Sequence, residues 1–128
     1  MKPNVMLTVT SLLTLLLMTV HLTQDVINQA DGLNLYPIPV IIFAVWLYGT
    51  LVLSDRAWGY AIMLFGGLCG AGMIVAHSRG FVVGNSHGFL FVWTLFAVST
   101  TGWVTMILSA RGLWMAFRSR RAARRAST

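Results

Sequence analysis

Four apolar runs alternate with short polar connections along this chain. The first, residues 5–23, reads VMLTVTSLLTLLLMTVHLT, and the others cover 36–53, 58–77 and 89–108. At about 1.5 Å per residue, a helix of this length crosses a hydrocarbon core of about 30 Å. The pattern predicts an all-α membrane protein with four transmembrane helices in an up-down-up-down bundle. The connections are short, so consecutive helices are expected to be antiparallel neighbours. Residues 1–117 make the bundle and 118–128 a basic cytoplasmic tail.

The third run, WGYAIMLFGGLCGAGMIVAH, contains no charge. Helical periodicity puts Gly59, Gly66, Gly70 and His77 almost in one line, flanked by Met63 and Met73. Glycines on one stripe let another helix approach closely, so this line is expected to serve helix packing and to turn His77 inward. In the first run Thr10, Thr14, His21 and Asp25 share a face, and leucines fill most of the others. The leucines should meet lipid, and the hydroxyls other helices or their own backbone. The second run opens with Tyr36-Pro37-Ile38-Pro39. Proline is tolerated in a first turn, where its missing N–H would have no partner. Trp46 and Tyr48 lie deeper, and at least one should face inward to satisfy its polar atom. The fourth run starts aromatic (Phe89, Phe91, Trp93, Phe96) and turns small and polar (Ser99 to Gly102). Trp114 and Phe117 mark its far interface.

Between the runs, 24–35 is a polar connection, 54–57 a tight turn and 78–88 a glycine-rich loop. A basic start and an apolar first run also resemble a signal peptide. The run is long for that, and the best cleavage candidate, Asn28-Gln29-Ala30, is poor, so an uncleaved span is expected.

Composition agrees. The 128 residues are 57% hydrophobic and 9% charged, against about 25% charged in soluble domains. The net charge of +6 is segregated rather than spread. Arg118, Arg120, Arg121, Arg124 and Arg125 follow the last span, where anionic lipid headgroups explain them better than nucleic acid does. One side of the bundle holds Lys2, Arg56 and this cluster, and the other holds Arg79. Both termini are therefore expected in the cytoplasm and the protein in the plasma membrane. The lone Cys69 permits neither an intrachain disulfide nor a thiolate metal cluster.

This topology gathers His21, His77 and His87, with Asp25, Asp31 and Arg79, at the external end. His21 and His77 close the first and third spans at similar depth, on helices that are diagonal in such a bundle. Imidazole and carboxylate suit Zn or Cu(II), with Asp25 four residues after His21. Two facing histidines also suit haem, with Phe81, Phe89, Phe91 or Trp93 as flanking aromatics. His21, His77 and Asp25 are the candidate metal or haem ligands, and His87 and Arg79 are outer-face accessories. The same residues also fit a plain interfacial role. His21–Asp25 is a common helix-end pair, His87 suits a solvated loop, and Arg79 suits a lipid phosphate. The methionines are scattered, which favours core packing over Cu(I).

No acid or base lies mid-span, which argues against an ion-coupled transporter. There is no phosphate loop, H-E-x-x-H or C-x-x-C, and no serine nucleophile with a paired base. A non-enzymatic protein is expected. Three functions compete: a module with a metal ion or haem at its outer face, a structural or accessory subunit packed on a membrane partner or a second copy, and a small oligomeric transporter. Topology can be checked with single cysteines in a Cys69→Ser background. An impermeant reagent applied to intact cells should label Asn28→Cys and spare Ser127→Cys. The opposite pattern inverts the orientation.

Overall fold

The computed structural model describes residues 5–28, 37–82 and 88–126, without the side chains of Asp25, Asn28, Pro37, 78–82 and Ala126. Four helices account for nearly all of it: α1 (Val5–Asn28), α2 (Pro37–Leu51), α3 (Ala57–Val82) and α4 (Phe89–Ala126). Three contain stretches long and apolar enough to cross a membrane, Val5–Gln24, Ala57–His77 and Phe89–Arg125. The apolar run of α2, Ile38–Leu51, is shorter.

The helices do not stop where the hydropathy does. α1 continues through 24–28, expected as connection, and α3 continues through 78–82, expected as loop. Polar residues mark the arrival of water, and a single glycine such as Gly80 costs a helix only about 1 kcal/mol. α4 runs unbroken for 38 residues and carries the basic segment as far as Ala126. Alanine and arginine, which fill this segment, are both strong helix formers. α2 is shorter than its apolar run: its 15 residues span about 22 Å. It gives way at Val52 to a turn in which the Arg56 N–H donates to the Leu53 carbonyl at 2.9 Å.

The buried positions repeat every three and four residues. On α1 they are Leu7, Ser11, Thr14, Met18 and His21, and on α4 they include Phe91, Leu95, Val98, Gly102, Thr105, Ser109 and Gly112, with Thr94 and Ser99 buried beside this seam. This is the heptad seam of closely aligned helices. Contacts give the directions. Thr14 meets Thr105 and His21 meets Thr94, so α1 and α4 are antiparallel. Gly70 packs on Thr14 and His77 on His21, so α1 and α3 are parallel. Ser11 and Thr50 join α1 to the end of α2. α1 and α3 touch across the bundle, whereas α2 and α4 do not touch among the described residues.

The glycine stripe is buried, but it faces three partners rather than one. A Cβ on Gly59 would strike the Leu53 carbonyl, and one on Gly66 would enter the Trp46 indole. A Cβ on Gly70 would lie 2.8 Å from Thr14 Cγ2 and 3.2 Å from Gly102 Cα. Glycines off the stripe also meet backbone. A side chain on Gly102 would strike the backbone of Gly70 and Ala71, and one on Gly67 would lie 2.7 Å from the Met106 nitrogen. α3 and α4 therefore meet backbone on backbone.

α1 is joined to its neighbours largely through hydroxyls. The Trp46 indole N–H donates to Ser11 Oγ at 2.9 Å. Ser11 and Thr50 hydroxyls are 2.8 Å apart, and Thr50 donates to the Trp46 carbonyl at 2.9 Å. Each hydroxyl has one proton, so Ser11 donates to Thr50 and the circuit closes on Trp46. Of the two aromatics weighed in α2, Trp46 is the inward one, and Tyr48 is exposed. Thr10 is only partly buried and bonds its own helical turn; Ser11 takes the core position. The end of the bundle opposite the histidines is apolar, with Leu7, Tyr60 and Met63 packed against Leu108, Leu113 and Ala116. Outside, large hydrophobics are exposed along every helix, among them Leu16, Ile41, Phe65, Leu68, Phe96 and Ile107. An apolar surface of this extent on a lone chain marks membrane association.

Gly102→Ala should lower stability in detergent by about 1–3 kcal/mol, because even a methyl there meets backbone that cannot turn aside. Gly72 has open space around it, so Gly72→Ala should cause no loss. Thermal unfolding of the two variants side by side checks the contrast.

Candidate functional site

The heptad seam of α1 ends in a histidine. His21 is fully buried, with relative exposure of 0%. The parallel run of α3 brings His77 to the same level, and the two ring centroids are 5.0 Å apart, edge to face. Phe91, in the first turn of α4, closes the group. Its ring centroid is 4.6 Å from that of His21 and 5.7 Å from that of His77. Three helices thus each contribute one ring to a single cluster.

Hydrogen bonds set the tautomers. His77 Nδ1 is 3.0 Å from the Met73 carbonyl, one turn back on α3. A carbonyl only accepts, so Nδ1 of His77 carries the proton. His21 Nδ1 is 3.2 Å from Thr94 Oγ1. That hydroxyl has two oxygen acceptors of its own, Gln24 Oε1 at 2.8 Å and the Phe91 carbonyl at 3.0 Å. With its one proton directed to these, its lone pair receives the His21 Nδ1–H. Each imidazole then carries a proton on Nδ1. Metal-ligating histidines are commonly oriented in this way, by a hydrogen bond from the other ring nitrogen.

Of the residues singled out from the sequence, His21 and His77 come together. Asp25 lies in the last turn of α1 and Arg79 in the last turns of α3; neither side chain is described. His87 and Asp31 lie outside the described residues. Among the possible flanking aromatics, Phe91 joins the cluster, while Phe89 and Trp93 are exposed. Among the described residues, no three His, Cys, Asp or Glu gather at one point. Thr94 and Gln24 were missed by sequence reasoning. Thr94 stands in an aromatic run and Gln24 in a stretch taken for connection, and only the antiparallel register of α1 and α4 pairs them.

A haem does not fit between the histidines. Imidazoles on opposite sides of one metal ion stand with their centroids roughly 6 Å apart, and a porphyrin needs the gap clear. Here the rings touch, and Phe91 lies against both. The cluster is also cut off from the hydroxyls deeper in the bundle. Met18, Leu95 and Val98, all buried, occupy the levels between His21 and the Thr14–Thr105 pair.

No family model, curated protein or solved structure matches this chain.

Thr94→Val removes the oxygen that faces His21 Nδ1 and leaves a buried donor to find another acceptor, at a cost of about 1–3 kcal/mol. Nitrogen NMR of histidine-labelled protein should then show the His21 tautomer shift while His77 keeps its own. Thr94→Ser should restore the wild-type spectrum.

Proposed function

We propose that this chain is an integral membrane protein of the plasma membrane with four spans and both termini in the cytoplasm, and that its outer end is a metal-binding site built on His21 and His77. The observation that carries the site is the meeting of two imidazoles from different helices at 5.0 Å, both held as Nδ1–H tautomers by oxygen acceptors. The rest of the described interior is apolar or hydroxyl-lined. A pair of ionisable rings, one sealed and one partly buried, is a functional feature by default in such surroundings. Asp25, four residues after His21, is the nearest carboxylate along the chain and the candidate accessory ligand.

The spans are supported by the exposed apolar belts and by the placement of the aromatics. Phe89 and Trp93 lie at the histidine end, and Trp58 and Trp114 at the other, all exposed. This is where interfacial aromatics belong. α2 is short for a full crossing; Val52 and Leu53 extend its apolar surface, and thinning of the bilayer accommodates the rest. Arg118 follows Trp114 by one turn, at the level of anionic headgroups. Arg120, Arg121, Arg124 and Arg125 continue the same exposed helix further into the headgroup layer and beyond it.

A second reading, an accessory subunit, is favoured by one feature. A cleft of ≈ 330 Å³ opens between α2 and α3, lined by Ile41, Val45, Trp46, Trp58, Ile62 and Phe65 among others. Its apolar walls suit a partner's transmembrane helix or a second copy of the chain.

Elemental analysis and an absorbance spectrum of protein purified in mild detergent separate these readings. The wild type should carry close to one metal ion per chain, and His21→Ala combined with His77→Ala should carry none. Equal metal content in both proteins returns the histidines to a structural role. A chain that co-purifies with metal-free wild type supports the accessory subunit.

A further inference from the structure

We infer that the cleft between α2 and α3 holds one acyl chain of a glycerophospholipid from the leaflet on the arginine-rich side, with the headgroup seated on Asp55 and Arg56. The inference rests on the four-span reading and is independent of the histidine site. It sets a lipid where a partner helix or a second copy is the other occupant.

The shape of the cleft follows from how the two helices pair. Gly59 meets the Leu53 carbonyl and Gly66 meets the Trp46 indole, so α2 and α3 are antiparallel. Ile41, Val45, Ala61 and Phe65 wall the cleft over Trp46 and Gly66. Trp58, 76% exposed, stands at the end nearest the turn, where an interfacial aromatic belongs. Trp58 to Gly66 is about 12 Å along α3, and Ile41 carries the wall about 7 Å beyond Trp46 along α2. The cleft therefore runs roughly 19 Å inward from the interface. One leaflet of a hydrocarbon core of about 30 Å is about 15 Å deep. The cleft starts where an acyl chain starts and reaches as far as one reaches.

Size and polarity select the occupant. A helix about 10–12 Å across would fill roughly 1,500 Å³ over this length, whereas the cleft measures ≈ 330 Å³. A helix could lay only a row of side chains in it, but a flexible hydrocarbon chain fits lengthwise. The walls offer no polar partner deep in the membrane, because the Trp46 indole N–H is already given to Ser11.

The charge sits at the mouth. Asp55 and Arg56 are both exposed and lie in the turn just before Trp58. Neither makes an ion pair among the described residues. A guanidinium grips a phosphate through paired hydrogen bonds, and a carboxylate beside it attracts an ammonium. The adjacent acid and base therefore complement a headgroup with both a phosphate and an amine. The basic end of α4 has no acid among its arginines and suits purely anionic headgroups instead.

Full-length protein extracted from membranes in mild detergent and stripped of lipid is incubated with equimolar phosphatidylethanolamine and phosphatidylglycerol. Native mass spectrometry reads the bound lipid. Ala61→Phe puts a ring into the cleft, so the lipid that this variant loses is the cleft's own. That lipid should be one phosphatidylethanolamine per chain, with retention lowered about tenfold or more, the scale of a steric clash in a packed site. Arg56→Gln changes an exposed turn residue and should fold normally, as checked by circular dichroism, yet also lower retention. Asp55→Asn should remove the preference for the amine. Retention that is unchanged in both Ala61→Phe and Arg56→Gln places the lipid elsewhere and overturns the inference. Loss of phosphatidylglycerol in Ala61→Phe overturns the headgroup assignment. A lipid-free dimer that Ala61→Phe separates gives the cleft to a second copy and overturns the lipid. Release of the chain from membranes by alkaline carbonate overturns the spans and the lipid site together. A chain that stays in the membrane and binds neither lipid overturns the lipid site alone.

Discussion

The rest of the structure depends on the backbone contact between α3 and α4. Gly67, Gly70 and Gly102 have no side chains to hold the helices apart, so the two backbones meet directly. In lipid there is little hydrophobic gain from hiding one leucine against another, and close packing of main chain supplies much of the attraction instead. The contact also fixes the register. With Gly102 seated against Gly70 and Ala71, His77 at the end of α3 comes level with Phe91 at the start of α4. Thr14 packs on Gly70 from α1, and the same seven-residue step further along puts His21 beside His77.

Hydroxyls do what large apolar side chains do in a soluble bundle. The core positions of α1 read Leu, Ser, Thr, Met, His, and those of α4 include Thr105 and Ser109. Ser11, Thr50 and Trp46 satisfy one another in a closed circuit, so three polar groups are buried without an open valence. Thr14 and Thr105 tie α1 to α4 at mid-bundle. Threonines on the outer faces, such as Thr19, Thr23 and Thr100, bond the carbonyl four residues back instead. One residue type thus has two uses, and the face of the helix decides which applies.

The cluster at the histidine end is a product of this packing rather than of local sequence. Each ring comes from a different helix, and the tautomers of the two histidines are set by different kinds of partner. For His77 the partner is its own helical turn. For His21 it is Thr94, across the α1–α4 seam and already bonded to Gln24. Two imidazoles that donate from Nδ1 follow from ordinary hydrogen-bond accounting, and they give the end of the bundle a chemistry that its apolar body lacks.

The sequence by itself determined the helical class, the membrane-seeking composition, the packing role of the glycines and the inward turn of His21 and His77. All of these follow from helical periodicity, which is local. It did not determine helix ends, since hydropathy reports where water begins and not where the backbone changes conformation; α4 accordingly runs through the arginines. It also named no partners for the glycine stripe and overlooked Gly67, Ser11, Thr94 and Gln24. Those assignments depend on which helix lies opposite and at what height. Only the tertiary structure decided that two histidines 56 positions apart would touch, because the Gly70–Thr14 contact sets α1 and α3 in parallel register, and that contact is not encoded in either helix alone.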